Sequence, residues 1–398
     1  MSQKNGDAAG VLSGSLLIAG TSIGAGMLGV PLITGLSGFF PSMLATTVCW
    51  LFMLFTGLLF LEATLWMEDG ANVLSICERF LGPIGKWIGG GCFLFLYYCL
   101  LSAYFAAGAP LLNIQDPLTA ALVFFAMFFL ILISGLYLSD RINFFLILAM
   151  ALSYAFLLAL GSREVDSVRL LPVKWSYMNA SFPVLFSAFG YHNIIPSISS
   201  FLKRDLKKLR QAIIIGSSIP FVVYCLWQWM IIGAIEQEAL QEALEKGIPV
   251  TELFRIKGKA ALLAKIAHFF SLFAIMTSVL GVSLSMFDFL ADGLQAQRKK
   301  YFWKIALGLL VFLPPLFFSL QWPNIFGRAL ELAGGIGEAI LNGILPICLV
   351  WVGRYRLKLK SVEAQTPFGK SFLALLFIFA LYIVLLELGL IEWIKALG

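Results

Sequence analysis

Apolar residues run through this chain in stretches long enough to cross a bilayer, separated by short polar segments. One transmembrane helix needs about 20 predominantly apolar residues. Eleven stretches reach that length: 9–35, 39–67, 87–112, 117–138, 142–161, 181–201, 211–235, 260–291, 302–321, 325–353 and 371–395, counted as spans 1–11. The pattern predicts an all-α polytopic membrane protein with a single transmembrane domain.

Composition narrows the function. Of 398 residues, 60% are hydrophobic and 13% charged, and the mean hydropathy is +0.92. A soluble domain carries about 25% charged residues, so too little polar surface is available to cover a water-soluble core. Soluble enzymes, nucleic-acid modules and disordered scaffolds are excluded. The six cysteines form no C-x-x-C pair, and all but Cys77 lie in apolar runs, as small core residues do. The two histidines, His192 and His268, lie in different spans without an H-E-x-x-H motif, which points away from a metal centre and from an enzyme. No cofactor is expected. The first apolar run continues through Pro31 without a small-residue cleavage site, so span 1 is expected to be retained.

Basic residues report orientation in membrane proteins. With a cytoplasmic N-terminus, eighteen of the 28 Lys and Arg residues fall on the inside, nine on the outside, and Arg328 within a span. The bias predicts a cytoplasmic N-terminus and an external C-terminus. KRDLKKLR (203–210) and RYRLKLK (354–360) contribute most of it and are expected to be solvated anchors at headgroup level. The external stretch EQEALQEALEKGIPVTELF (236–254) has helical spacing that ends at Gly247 and Pro249. It is expected to form a short helix over the outer face, either as a plain surface helix or as a lid.

Two spans are poorly suited to continuous helix. Span 1 holds Gly20, Thr21, Ser22, Ile23, Gly24, Ala25 and Gly26, then Gly29 and Pro31. Each glycine costs about 1 kcal/mol in a helix relative to Ala, although small residues also serve close helix packing in membranes. Span 6 favours the broken alternative. It carries Ser187, Phe189, Gly190, Tyr191, His192 and Asn193 at mid-membrane depth, followed by Pro196. A continuous helix would strand polar groups in hydrocarbon, and proline disfavours helix at the preceding residue. The two spans are five apart, so the second block of five enters from the opposite side. Interrupted segments at matching places of two inverted halves point to a transporter site. The expected repeats are about 9–161 and 181–353, with an additional helix at 371–395.

A half-helix starting near Gly24 exposes N–H groups and a positive dipole end suited to a carboxylate. Gly24, Ala25 and Gly26 permit its close approach. Carbonyls around Ala19, Gly20, Phe189 and Gly190 are placed to accept from an ammonium, so a zwitterion fits the paired breaks. Apolar and aromatic groups of spans 1, 3, 6 and 8 are expected to line the rest of the pocket.

At these residues the chain resembles a known family. GTSIGAGMLGVP (20–31) is similar to the first span of the hydroxy/aromatic amino acid permeases, within the amino acid–polyamine–organocation superfamily, where G-T-x-I-G-A-G-M-L is characteristic. FPVLFSAFGYHNIIPSI (182–198), IIIGSSIPFVVYCLWQ (213–228) and TSVLGVSLSMFDFLADGL (277–294) resemble its sixth, seventh and eighth spans. The resemblance covers most of the chain and is closest to bacterial tyrosine-specific permeases. It implies a five-plus-five inverted-repeat fold of the leucine-transporter type with helices 1 and 6 broken, in the bacterial inner membrane. It also implies proton-driven uptake of tyrosine, with tryptophan as a further substrate. The family commonly has Phe-Gly-Phe-His-Gly in span 6. This chain has Phe189-Gly190-Tyr191-His192-Asn193, adding a hydroxyl and an amide at the break.

Coupling residues are open at this level. His192 lies in the break and is either the proton carrier or a ring capping unwound backbone. Glu62 on span 2 is expected to hold the broken segments, structurally or as a protonation site. Thr277 and Ser278, with carbonyls near Ala19, are candidate sodium ligands; alternatively they bond back to their own turn. Glu331, Glu338 and Glu387 are further acids within spans, and Asp288 and Arg328 are expected near cytoplasmic span ends, snorkelling or paired. A sodium-coupled or broader neutral amino acid transporter is the alternative, and a channel is the alternative of another class. No repeated filter ring or phosphate-binding loop is present. The expected partners are an aromatic amino acid and the bilayer, with no nucleic acid and no obligate protein partner.

Overall fold

The first apolar stretch does not form one rod. In the computed structural model, which describes residues 2–134, 136–256, 261–294, 301–359 and 369–389, it is split into α1 (Ser2–Ser22) and α2 (Gly26–Thr34). The two segments are bent by 59° across Ile23–Ala25. The expectations on Lys257, Lys259, Arg298, Lys299, Lys300, Lys360, Lys395 and the last turns of span 11 lie outside the described residues.

Gly38, with φ +88°, turns the chain into α3 (Phe39–Leu65); a side chain there would collide with the Pro172 carbonyl. α4 (Val73–Gly108) starts on an Asn72–Ser75 capping box and kinks at Gly82, ahead of Pro83. It therefore begins earlier than the start expected at 87, because the cap satisfies the first amides of a turn too polar to be read as membrane. α5 (Pro117–Ser134) and α6 (Leu136–Gly161) follow. Span 6 is α7 (Ser181–Ala188) and α8 (Ile195–Phe201), separated by irregular backbone and a single tight turn at His192–Ile194.

α9 (Leu206–Ala234) starts on Asp205, whose carboxylate accepts from Lys208 N–H at 3.1 Å. That hydrogen bond, with the Lys208 ammonium beside it, holds the Asp205 carboxyl below its ordinary range. α10 (Gln237–Glu245) and α11 (Leu253–Ile256) are short; α12 (Ala261–Gly293) and α13 (Tyr301–Gln321) are long. Span 10 opens as α14 (Phe326–Leu332), widens into a π-helical stretch over Ala333–Ile344 and closes as α15 (Leu345–Trp351). α16 (Gly369–Glu387) is span 11.

Among the described residues, nine helices are long and apolar enough to cross a bilayer, and the bent α1–α2 pair is a tenth. The broken α7–α8 pair, each half too short alone, accounts for the eleventh stretch. Burial separates an inner group from a lipid-facing one. The apolar windows of α3, α4 and span 10 are 61–67% buried, against 22–28% for α5, α6 and α16.

Several charged side chains have partners that local pattern does not reveal. Arg354 was expected as a solvated anchor. Instead its Nε donates to Glu62 Oε1 (2.6 Å) and its Nη2 to Oε2 (2.5 Å), tying the end of span 10 to α3. Arg204, of the other basic cluster, donates to the Leu65 and Met67 carbonyls and caps the C-terminus of α3. Arg328 lies in the first turn of span 10, at the opposite end from Arg354, and pairs with Glu331 and Glu387. It is thus paired, one of the two outcomes expected for it. α10 packs Ala239, Leu240 and Ala243 inward and presses Leu240 on Gly35 and Leu244 on Gly327. It is a cover joined to spans 1 and 10 rather than a loose surface helix.

Candidate functional site

The two breaks face each other across a cavity of about 360 Å³, within the usual size of small-molecule sites. Gly20, Thr21, Ser22, Ile23, Gly24 and Gly26 line it from span 1, and Ser187, Gly190, His192 and Asn193 from span 6. Span 8 contributes Thr277 and Ser278. Of the residues expected at the site, these twelve are brought together. Ala19, Ala25, Phe189 and Tyr191 lie behind the wall instead.

Each of those four has a reason to be displaced. The Ala19 carbonyl accepts from Ile23 N–H at 2.9 Å, closing the last turn of α1. Ala25 N–H donates to Ser278 Oγ at 2.8 Å. The ring of Phe189 packs edge-on against Tyr224. The hydroxyl of Tyr191 donates to the Met53 carbonyl at 3.0 Å, so the extra hydroxyl of the break is turned into α3 rather than toward the cavity. Glu62, expected to hold the broken segments, accepts from the Arg354 guanidinium with both its oxygens.

The helix ends give the cavity its polarity. α2 starts at Gly26, where the first turn of a helix lacks internal acceptors. Met27 and Leu28 N–H turn back to Gly24 and Ala25 carbonyls, and Ser278 takes Ala25 N–H. The positive end of α2 therefore meets the cavity at Gly24 and Gly26. A Cβ at Gly24 would land on Ser278 Oγ, so any other residue there displaces the hydroxyl that accepts Ala25 N–H. The negative C-terminal ends of α1 and α7 approach the same place. They are clasped by the buried Tyr224 hydroxyl, 2.5 Å from the Ser22 carbonyl oxygen and 3.0 Å from that of Ala188. One hydroxyl proton serves the two carbonyls in turn, tying the breaks to α9.

Three buried polar atoms of cavity-lining residues, Ser22 Oγ, Ser187 Oγ and His192 Nδ1, have no hydrogen-bond partner among the described residues. Buried polar atoms are nearly always satisfied, and three together mark a site built for a polar guest. The other nitrogen of His192, Nε2, lies 2.9 Å from Thr56 Oγ1. The Thr56 hydroxyl reaches the Phe52 carbonyl at 3.1 Å. With its proton given there, Oγ1 accepts from Nε2–H, which leaves Nδ1 an acceptor. Thr277 Oγ1 donates to the Ala274 carbonyl in its own turn at 2.9 Å, the ordinary behaviour of threonine in a membrane helix.

The sequence pointed to aromatic groups of span 3 in the wall without naming them, and missed the part of the wall that span 10 supplies. Tyr97 and Tyr104 of α4 line the cavity, and Asn193 Nδ2 donates to Tyr97 Oη at 3.0 Å. Glu338 and Asn342 of the π-helical stretch also line it, hydrogen-bonded to each other. A Cβ at Gly190 would overlap the Glu338 carboxyl, so that acid rests directly on the break. The signal for this wall is an acid among Gly334, Gly335, Gly337 and Gly343, a glycine density like that of span 1.

The cavity opens along α1, where Leu16 and Leu17 line it together with Val282 and Ser285 of α12. In the other direction it is shut, because all nine residues of α2 are buried.

Comparison with known proteins agrees with this architecture. The fold matches the crystal structure of MhsT in complex with L-phenylalanine with a TM-score of 0.66 over 95% of this chain and 97% of that one, at 14% sequence identity. The architecture is thus the leucine-transporter type. A tyrosine-specific transport system (system 1) of Haemophilus influenzae is 33% identical over 351 residues, covering 85% of this chain and 87% of the relative. A tryptophan-specific transport protein of the same organism is 31% identical, covering 95% and 96%. The model of the tryptophan/tyrosine permease family matches residues 7–387. The chain is a multi-pass membrane protein and belongs to the tryptophan/tyrosine permease family.

Proposed function

We propose that the protein is a secondary transporter that takes up aromatic amino acids, tyrosine first and tryptophan as well, across the bacterial inner membrane by alternating access. The observation that carries this reading is the constellation in the cavity: a positive helix end at Gly24–Gly26, two negative helix ends, and unpartnered Ser22, Ser187 and His192 atoms. A zwitterion complements these groups as neither a sugar nor a lone anion does. Its carboxylate goes to the Gly24 and Gly26 amides with the serine hydroxyls. Its ammonium goes to the carbonyl ends of α1 and α7 and to His192 Nδ1. The ring then lies among Phe60, Tyr97, Leu100, Tyr104, Ile147 and Met150. The tyrosine- and tryptophan-specific relatives support the substrate class.

Two inverted repeats, about 9–161 and 181–353, with α16 added, account for the packing. α1 lies on α9 as α7 and α8 lie on α3, and α6 lies on α12 as span 10 lies on α4. With the N-terminus cytoplasmic, as the basic residues favour, the open side faces the cytoplasm.

The driving ion is the proton in this reading. Energy does not choose: a unit charge moving down a 150 mV potential yields about 3.5 kcal/mol. Sodium would use the remaining lone pairs of Thr277 Oγ1, which donates to the Ala274 carbonyl, and of Ser278 Oγ, which accepts from the Ala25 amide. Uptake into proteoliposomes tests the reading. Tyrosine, tryptophan, phenylalanine, serine and alanine are each supplied under an imposed pH or sodium gradient. Tyrosine and tryptophan should accumulate under the pH gradient; no accumulation of any under either gradient overturns the proposal.

A further inference from the structure

Glu338 differs from the other acids buried in this protein. Glu62 is forked by Arg354, Glu387 meets Arg328, and Glu252 contacts Arg255 and His268. Glu338 is only 5% exposed, and among the described residues no Lys, Arg or His pairs with it. Its recorded hydrogen-bond partner is the Asn342 amide, which donates to Oε2. It occupies the cavity wall, and its carboxyl lies where a Cβ on Gly190 would be.

Among the described residues, the elements packed around it place no cation beside the carboxyl; Arg328 of α14 pairs with Glu331 and Glu387. α7 carries no titratable side chain, and its Pro183 carbonyl presses on Gly334, one turn before Glu338. α4 contributes the uncharged side chains of Tyr97 and Tyr104, which line the same cavity. The span 6 break contributes His192, bonded to Thr56. The acids of the neighbouring α16 and α3, Glu387 and Glu62, are held by their own arginines. In addition, Glu338 sits beside the C-terminal end of α7, whose dipole is negative. None of these surroundings supplies a positive charge to the carboxyl, and the negative helix end beside it suits an acid that donates to a carbonyl of the break.

We infer that Glu338 is the proton-binding group of the transport cycle, carrying the coupled proton as a neutral carboxylic acid against the broken segment of span 6. This rests on the aromatic amino acid transport proposed above and assigns the coupling to span 10 rather than to His192 or Glu62. The charged form needs the water that the open cavity supplies. The neutral form fits the dry, closed break. Closure around substrate therefore goes with proton uptake: one O–H bond forms with a proton taken from water on one face and breaks to return it to water on the other. The π-helical geometry contributes by widening the turn at Ala333–Ile344, a distortion frequent at functional sites.

The test uses the full-length protein in proteoliposomes, with labelled tyrosine and an internal pH indicator. A one-unit pH gradient supports about tenfold accumulation per coupled proton. Wild type should approach that value and acidify the lumen as tyrosine enters. Glu338→Gln, a permanently neutral isostere, should accumulate tyrosine no more than onefold. It should still exchange internal for external tyrosine, at a rate that no longer depends on pH. Glu338→Gln that accumulates tyrosine and moves protons like wild type overturns the inference. If exchange is lost as well, Glu338→Asp decides. A displaced pH midpoint for uptake supports Glu338 as the titrating group, and a wild-type midpoint overturns it. Failure of the wild type itself to accumulate any aromatic amino acid would instead overturn the proposed function.

Discussion

The two halves of span 1 have similar small-residue sequences and opposite surroundings. α2 is buried along its whole length. The Trp227 indole N–H donates to the Met27 carbonyl at 2.9 Å, and Gln237 reaches the Gly35 and Leu36 carbonyls at its end. Leu330 packs on Gly29 and Leu240 on Gly35. α1, by contrast, exposes Gly20 and Thr21 to the cavity and Leu12, Leu16 and Leu17 along its length. Its principal support is α9, where Ile18 and the Ser15 carbonyl abut Gly216. The break thus joins a fixed segment to one held on a single side. A cavity that must open to each face in turn needs such an asymmetry, with closure made by the segment that has fewer attachments.

The sharpest way to break the comparison is at the joint itself. Gly24→Val places a branched side chain on Ser278 Oγ and obstructs the amides at the start of α2. Overpacking costs about 1–3 kcal/mol, so tyrosine affinity should fall roughly 5- to 150-fold, measured by binding to the purified protein. Unchanged affinity would show that the carboxylate is not recognised there. Next in size is Trp227→Phe, which leaves the Met27 carbonyl buried without its donor. An unsatisfied buried group costs about 1–3 kcal/mol. Thermal unfolding should come earlier, and the closed side of α2 should become more accessible to thiol reagents at an introduced cysteine. A variant that unfolds like wild type would remove Trp227 from the clasp.

Both breaks were legible from residue types, because the glycines of span 1 and the Gly190–Pro196 segment act on their own backbone. The eleven apolar stretches were legible for the same reason. What was not legible depends on partners far along the chain. Glu62 finds Arg354 at a sequence separation of 292, and Tyr191 finds Met53 at 138. No local pattern could show that Glu62 ties α3 to the end of span 10. Nor could it show that the Tyr191 hydroxyl faces away from substrate. The π-helical stretch of span 10 was hidden differently: it keeps an apolar composition and changes only the hydrogen-bond register, which hydropathy does not record. The early start of α4 was missed because Glu78, Arg79 and Lys86 resemble a loop, whereas Glu78 and Lys86 pair at 2.8 Å on the helix surface.

Ser278→Ala sharpens the comparison by a smaller step. It removes the hydroxyl that accepts Ala25 N–H, and loss of such a cap costs about 1 kcal/mol. Tyrosine affinity should weaken about fivefold, equally under proton and sodium gradients. A selective loss under sodium would mark Ser278 as an ion ligand and return the coupling to span 8.

The smallest effect concerns the support of α1. Asp205 caps α9, the helix on which α1 rests, and its carboxyl is held below the ordinary range, chiefly by the Lys208 N–H and further by its ammonium. A carboxylate of lowered pKa stabilises the folded state fully above its unfolded value of about 3.9. It loses that contribution as the pH falls below that value toward the native one. Asp205→Asn keeps an acceptor but removes the charge from the helix N-terminus, an interaction worth about 0.3–1 kcal/mol at the surface and screened by salt. At neutral pH and low salt the variant should therefore unfold slightly before wild type, and the difference should vanish in acid, where wild-type Asp205 is itself protonated. A gap that persists in acid would mean that the side chain acts through its shape rather than its charge. A gap that also slows uptake would show that the pose of α1 depends on α9 being held at its first turn.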